Sequence, residues 1–253
     1  MQNSFVSAVS RRVLEVLDEP VRDLPGIAGD VATFVQPASR LLTGGKRSRA
    51  VLAALGWSCV RPESGWDEEA IRIAGSALEL FQAAALVHDD LIDDADTRRS
   101  HPASHRHFAA AHSGAGLRGD SEEFGANAAI LLGDLLLTLS QREISRAIRA
   151  SGTSPEAAQE VWDRMSAEVA IGQFLDIEAA TLPLPGEGDD DAHQAALERA
   201  LAVLRHKSAH YSVAHPLALG AALAGGDDAP FEQLAAIGAP LGEAFQLRDD
   251  DLG

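Results

Sequence analysis

An apolar run of helical period that ends in a block of carboxylates constrains this chain more than any other stretch. Ile71, Ala74, Ala77, Leu78, Phe81, Ala85 and Val87 recur at three- and four-residue steps and predict a long helix. Asp89, Asp90, Asp93, Asp94 and Asp96 follow, with Arg98 and Arg99 directly after them. If the helix continues through the block, Asp89, Asp93 and Asp96 fall within about 60° of one another at roughly 100° per residue, with Asp90 and Asp94 on the flank. Two like charges about 4 Å apart repel by about 4 kcal/mol at an effective dielectric near 20. Carboxylates in a last turn also face the negative end of the helix dipole. A hard divalent cation with oxygen ligands, Mg²⁺ before Ca²⁺, removes both penalties. A solvated acidic helix end is the plainer alternative; the apolar approach, the DDxxD spacing and the arginine pair favour the metal. An EF-hand loop does not fit, since the sixth position lacks Gly and the twelfth lacks Glu.

The rest of the composition narrows the fold. Alanine, leucine and charged residues are abundant, aromatic residues make up 5%, and β-branched runs are scarce, so an all-α fold is expected. At 253 residues the chain is long enough for a sizeable core in one domain or two. A formal net charge of −17 argues against nucleic acid or an anionic membrane as the main partner. Local basic residues or metal would then have to receive any anionic substrate. The single cysteine, Cys59, excludes an intrachain disulfide, fits a reducing compartment and is expected in the core. No signal peptide and no stretch of about 18 uncharged apolar residues is evident, so the expectation is a cytoplasmic protein without stable membrane insertion.

Taken in order, residues 5 to 18 form an amphipathic helix and Pro20 to Gly29 break it. A short helix from about Asp30 to Leu42 leads into Gly44-Gly45-Lys46-Arg47-Ser48-Arg49, where two glycines and three cations suit a phosphate without matching the Walker pattern. Gln82 lies seven residues before Asp89, nearly on its face. Residues 100 to 125, rich in Gly, Ser and His, are expected to be a loop; His101, His105, His107 and His112 lack the spacing and the thiolates of a known structural zinc site. An apolar helix runs from Ala126 to about Ile148. Another, from Pro155 to about Ala180, carries Gly172-Gln173-Phe174-Leu175-Asp176, with Gln173 and Asp176 on one face. Residues 182 to 191 form a surface loop. A helix from about His193 carries Lys207-Ser208 and should kink or stop near Pro216. A turn is expected from Asp227 to Pro230, and the last helix ends Phe245-Gln246-Leu247-Arg248-Asp249-Asp250-Asp251-Leu252-Gly253.

Asp89-Asp90-Leu91-Ile92-Asp93 with Asp96-Thr97-Arg98-Arg99 resembles the first aspartate-rich motif of the trans-isoprenyl (polyprenyl) diphosphate synthases, and the chain resembles the geranylgeranyl diphosphate synthases among them. Ser100 stands where that family has Gly, and Ala103 where it has Thr. Gly44 to Arg49 resembles its GGKxxR element, Gly172 to Asp176 its GQxxD element, Lys207-Ser208 its Lys-Thr pair, and Gln246, Asp249 and Asp250 its second aspartate motif. Gly253 replaces that motif's last aspartate.

The resemblance implies a single-domain bundle of roughly ten helices around a central cavity, the isoprenoid synthase fold, with the family's last helices apparently missing here. It implies head-to-tail condensation of isopentenyl diphosphate with an allylic diphosphate (dimethylallyl, geranyl or farnesyl), dependent on Mg²⁺, in three ions per site. The implied metal ligands are Asp89, Asp93 and Asp249. Asp90, Arg98, Lys207 and Asp250 complete the catalytic set. Lys46, Arg49, Gln82 and Arg99 would hold isopentenyl diphosphate, and Gln173, Ser208 and Gln246 join Arg98 and Lys207 in binding substrate. Small residues at Ala84 and Ala85, placed below Asp89, imply a C20 or longer product. A homodimer is also implied. A class I terpene cyclase, which needs no second diphosphate site, and a non-catalytic partner subunit of a heteromeric synthase are the alternatives.

Overall fold

The computed structural model describes residues 2–66, 68–186, 188–226 and 228–252, the side chains of residues 228–232, 235, 249, 250 and 252 excepted. It is all-α apart from one two-residue hairpin. The helices are α1 (Gln2–Leu17), α2 (Glu19–Asp23), α3 (Ala28–Leu42), α4 (Ser48–Val60) and α5 (Glu69–Ile92). The hairpin pairs β1 (Thr97–Arg98) with β2 (His101–Pro102). There follow α6 (Ser104–Gly114), α7 (Ser121–Ser151), α8 (Pro155–Thr181), α9 (Asp190–Val203), a π-helix (Leu204–Ala214), α10 (His215–Leu223) and α11 (Asp228–Leu252).

Two compact units emerge, one of Met1–Ala50 with Arg72–Ala147, the other of Val51–Ile71 with Ile148–Gly253. In the first, α1 buries Phe5, Val9, Val13 and Leu17, and α7 buries Ala129, Leu132, Leu136, Leu139 and Ile144, both at helical spacing. Between them α5 is apolar on nearly every side, the pattern of a helix wrapped by others. Its polar exceptions are answered individually. Glu79 pairs with the buried Arg47 at 3.0 Å, and Ser76 donates to Glu143, which also takes Arg12 Nε at 2.6 Å. A buried charge without such a partner would cost several kcal/mol.

The second unit is built on close backbone contact. A Cβ on Gly56 would lie 1.9 Å from the Leu217 carbonyl oxygen, and one on Gly220 would lie 1.8 Å from that of Ala53, so α4 and α10 approach through a reciprocal glycine pair. Trp57, Trp162 and Met165 are among the large, fully buried side chains of this unit. The π-helix packs on α8 and α11.

Several expectations need correction. Residues 100 to 125 are mostly ordered, because α6 buries His105, Phe108, Ala109 and His112 at helical spacing and this burial outweighs the loop-like composition. Residues 20 to 29 hold a short helix and a 3₁₀ turn. Pro216 sits in the first turn of α10, where its missing N–H is tolerated, so the chain continues as helix through it. α11 begins at Asp228, inside the expected turn; Asp227 is outside the described residues. Cys59 is exposed rather than in the core. Among the described residues, α5 and α7 are long and apolar enough to cross a membrane, though Arg72 and Glu79 interrupt the first and Asp134 the second, so neither is an uncharged stretch of about 18 residues. Of α5's apolar stretch 78% is buried in the protein, against 39% for α7, whose free face carries Ile130 and Leu131.

Candidate active site

The helix that presents the aspartates stops earlier than its acidic run suggests. The Asp94 N–H donates to the Leu91 carbonyl and the Ala95 N–H to that of Asp90, while Asp94 takes φ 51°. These two bonds around a left-handed residue make a Schellman cap. Asp96 is therefore off the helix and the three-carboxylate stripe does not form. Asp89 and Asp93 remain one turn apart, tied by the Asp93 N–H on the Asp89 carbonyl at 2.9 Å.

Asp90 is only 2% exposed and takes the Arg98 guanidinium, Nε to Oδ1 at 2.7 Å. Arg98 also stands 3.9 Å from Asp89. The hydrogen bond to Asp90 outweighs burial and holds the guanidinium pKa above its ordinary value. Asp90 thus positions an arginine beside Asp89, a pairing that spacing alone did not reveal. Arg99 and Ser100 link the two strands with φ of 51° and 64°. Positive φ at both centres is the pattern of a type I′ turn, which accounts for glycine in the family at the second position.

That turn lies against the other cationic element of this unit. Arg99 donates to the Leu41 carbonyl at 2.8 Å, and a Cβ on Gly45 would meet its guanidinium and that of Arg47, each at 3.8 Å. Gly44 and Gly45 adopt φ of 77° and 95°, so the turn before α4 requires residues without a side chain. Lys46 is exposed and Arg49 half-buried. The intervening Arg47 points inward to Glu79, Ser10 and the Leu42 carbonyl, and so anchors the turn. Arg40, Arg98 and Arg99 line a cavity of about 30 Å³ beside it. Gln82 and Ala85 share the half-exposed side of α5 with Asp89. Ala84 is fully buried and turned about 140° from Asp89, so it is not on the cavity side expected for both alanines.

In the second unit, Lys207 donates to Asp176 Oδ2 at 2.6 Å. Gly172 makes this possible: a Cβ there would lie 2.3 Å from the Lys207 backbone nitrogen. Gln173, half-buried on the same helix, has its Nε2 without a hydrogen-bond partner among the described residues. Ser208 and Gln246 are half-buried on the π-helix and on α11. The side chains of Asp249 and Asp250 lie outside the described residues, as does Gly253.

A family model for polyprenyl synthetases matches residues 31–253. The chain belongs to that family, and its fold is the isoprenoid synthase fold. It is similar to nonaprenyl diphosphate synthase of Mycobacterium tuberculosis, 27% identical over 97% of this chain and 61% of that protein. To geranylgeranyl pyrophosphate synthase 11 of Arabidopsis thaliana it is 32% identical, over 86% of this chain and 55% of that one. Among solved structures, geranylgeranyl pyrophosphate synthase of Corynebacterium glutamicum, complexed with isoprenyl diphosphate and magnesium, superposes with a TM-score of 0.85. It is 35% identical, covering 100% of this chain and 69% of its own. The chain thus spans little more than half the length of the curated relatives it matches.

Proposed function

We propose that this protein is a Mg²⁺-dependent head-to-tail prenyltransferase that condenses isopentenyl diphosphate with dimethylallyl, geranyl or farnesyl diphosphate, giving a geranylgeranyl or longer all-trans product. One observation carries the reading. Within a single unit, an oxygen-only pair, Asp89 and Asp93, stands with a glycine-lysine turn backed by Arg99. The first set suits a metal-bridged diphosphate and the second a bare one; a cyclase would need only the first. The names of the relatives support the same reaction class.

Carboxylates one turn apart fit a hard cation that keeps several of its waters. Three ions per site, with Asp249 as a third ligand, complete the proposal. Mg²⁺, when bound, neutralises the diphosphate and stabilises the charge that gathers on it as the allylic C–O bond breaks. Arg98, held by Asp90, adds fixed positive charge beside Asp89. Lys207, steadied by Asp176, donates to the allylic diphosphate, with Ser208, Gln173 and Gln246 as further donors. Lys46, Arg49, Arg99 and Gln82 bind isopentenyl diphosphate and orient its double bond toward the allylic carbon. That double bond would attack the allylic carbon as its bond to diphosphate breaks, and the released diphosphate would take a proton from the carbon next to the resulting cation, restoring an alkene. The exposed Phe124, Ile130 and Leu131 of α7 support pairing with a second copy of the chain.

The test is incorporation of radiolabelled isopentenyl diphosphate with each primer, with and without Mg²⁺. Lys46→Ala and Arg49→Ala should raise the KM for isopentenyl diphosphate by about tenfold or more, each losing a charge-assisted contact. Lys207→Ala should instead impair use of the allylic primer. Ionisation of the allylic substrate without consumption of isopentenyl diphosphate would replace this reading with the cyclase.

A further inference from the structure

His206, His210 and His215 follow one another at steps of four and five residues. On an α-helix the second step would turn His215 about 140° away from His210. The chain is not α-helical there. From Leu204 to Ala214 it is a π-helix, and the His215 N–H donates to the His210 carbonyl, five residues back. That wider turn stacks the two histidines on one side, facing α8. π-helical turns are rare and tend to mark functional sites.

Glu168 of α8 stands opposite. Its Oε2 lies 2.9 Å from His215 Nε2 and 3.1 Å from His210 Nδ1, with His206 Nδ1 at 3.9 Å. Ligand atoms from Glu168, His210 and His215 all fall within 4.8 Å of one another. Atoms bound tetrahedrally to one zinc ion, at about 2.0 to 2.1 Å each, would be roughly 3.3 Å apart, so little movement separates this arrangement from a coordination shell. A cavity of about 310 Å³ opens beside the three side chains, with room for water to complete the shell. His215 is 9% exposed, and burial holds its pKa below the ordinary histidine value despite the carboxylate. Burial pushes the Glu168 carboxyl up, but hydrogen bonds from His215 and His210 carry it below its ordinary value.

We propose that Glu168, His210 and His215 form a binding site for a first-row transition ion, Zn²⁺ foremost, separate in chemistry from the carboxylate-only pair Asp89 and Asp93. Two imidazoles and one carboxylate suit zinc and its neighbours and do not suit Mg²⁺, which prefers six oxygens. On binding, each neutral imidazole gives up the proton on the nitrogen that donates to Glu168, takes one from water on its other nitrogen, and offers the bared nitrogen to the ion. The ion would staple the π-helix to α8, and this same π-helix carries Lys207 and Ser208, with Lys207 packed on Gly172, four residues after Glu168 on α8. Occupancy therefore sets how firmly Lys207 is held.

The experiment is Zn²⁺ calorimetry and Co²⁺ absorption on the chelator-treated chain in excess Mg²⁺, which occupies oxygen-only sites. One equivalent of Zn²⁺ should bind, and Co²⁺ should develop visible bands of mixed nitrogen and oxygen ligation. His210→Ala and His215→Ala should weaken binding by more than about 10²-fold, since loss of even a supporting group around a metal costs 10- to 100-fold. Glu168→Gln, which keeps the shape and the hydrogen-bonding capacity, should weaken it as well, with circular dichroism confirming the fold. Asp89→Ala with Asp93→Ala should leave it unchanged. An unaltered isotherm in the double His210→Ala, His215→Ala variant, or no binding by the wild-type chain, would overturn the site.

Discussion

The end of α5 and the π-helix each depart from regular helix at the point where charged or ligating side chains are presented, but they do so in opposite ways. At α5 the helix is cut short: Asp94 goes left-handed, two capping bonds close the end, and Asp89 and Asp93 are left at a terminus. In the π-helix the chain stays helical and slips its register by one residue, so that His210, His215 and Lys207 are displayed without an end. The first device yields carboxylate oxygens, those of Asp93 exposed and those of Asp89 partly buried beside Arg98. The second yields half-buried nitrogens held by partners on α8. Backbone irregularity, rather than residue type alone, decides which chemistry each region can support.

The largest effect that would sharpen this contrast is on turnover. Asp89→Ala or Asp93→Ala should lower kcat by at least about 10²-fold, because each removes charge stabilisation needed only as the C–O bond breaks. Steady-state rates in saturating Mg²⁺ check it, and wild-type rates in either variant would sink the role given to the cut helix end. Next comes the packing under the π-helix. Gly172→Ala sets a methyl 2.3 Å from the Lys207 nitrogen and should destabilise the chain by about 1 to 3 kcal/mol, read from urea unfolding. It should also impair the allylic primer more than isopentenyl diphosphate; an equal effect on both would mean that Lys207 is not positioned by this contact.

A third test separates two neighbours on α5. Ala85→Phe, on the side of Asp89, should shorten the products, biasing elongation by about tenfold, an effect of roughly 1.4 kcal/mol. Ala84→Phe, turned into the core, should cost stability instead. Chromatographic sizing of the dephosphorylated products, alongside thermal melts, distinguishes the two, and identical product profiles would mean that neither alanine meets the growing tail. The smallest expected change is a gain: Ser100→Gly should raise stability by about 1 kcal/mol by relieving a left-handed serine in the hairpin. No change in the melting temperature would show that the turn carries no such strain.

These sites were not equally legible in the sequence. The period from Ile71 to Val87 marks α5 because burial on nearly all sides reinforces it, and the cationic turn is visible in two adjacent glycines followed by Lys46. The Schellman cap was hidden, since nothing in Asp93-Asp94-Ala95 forbids another helical turn and aspartate only tolerates the left-handed region. α6 was hidden by its serines and histidines, although His105, Phe108, Ala109 and His112 follow a buried helical face. Glu168 was missed for a different reason: it partners histidines some forty residues away, and their spacing makes sense only once the helix is known to be π. The partnership of Asp90 with Arg98 is likewise a contact that opposite charges eight residues apart permit without specifying.

The reciprocal glycines of α4 and α10 carry a mechanical implication. Each helix presents a notch to the other's carbonyl, one at Gly56 and one at Gly220, three residues from the carbonyl it offers in return. Two notches facing opposite ways act as a key: sliding either helix by one residue would drive a side chain into a peptide oxygen. Any displacement within this unit must then leave that pair in step and be taken up by α8, α11 or the π-helix between α9 and α10.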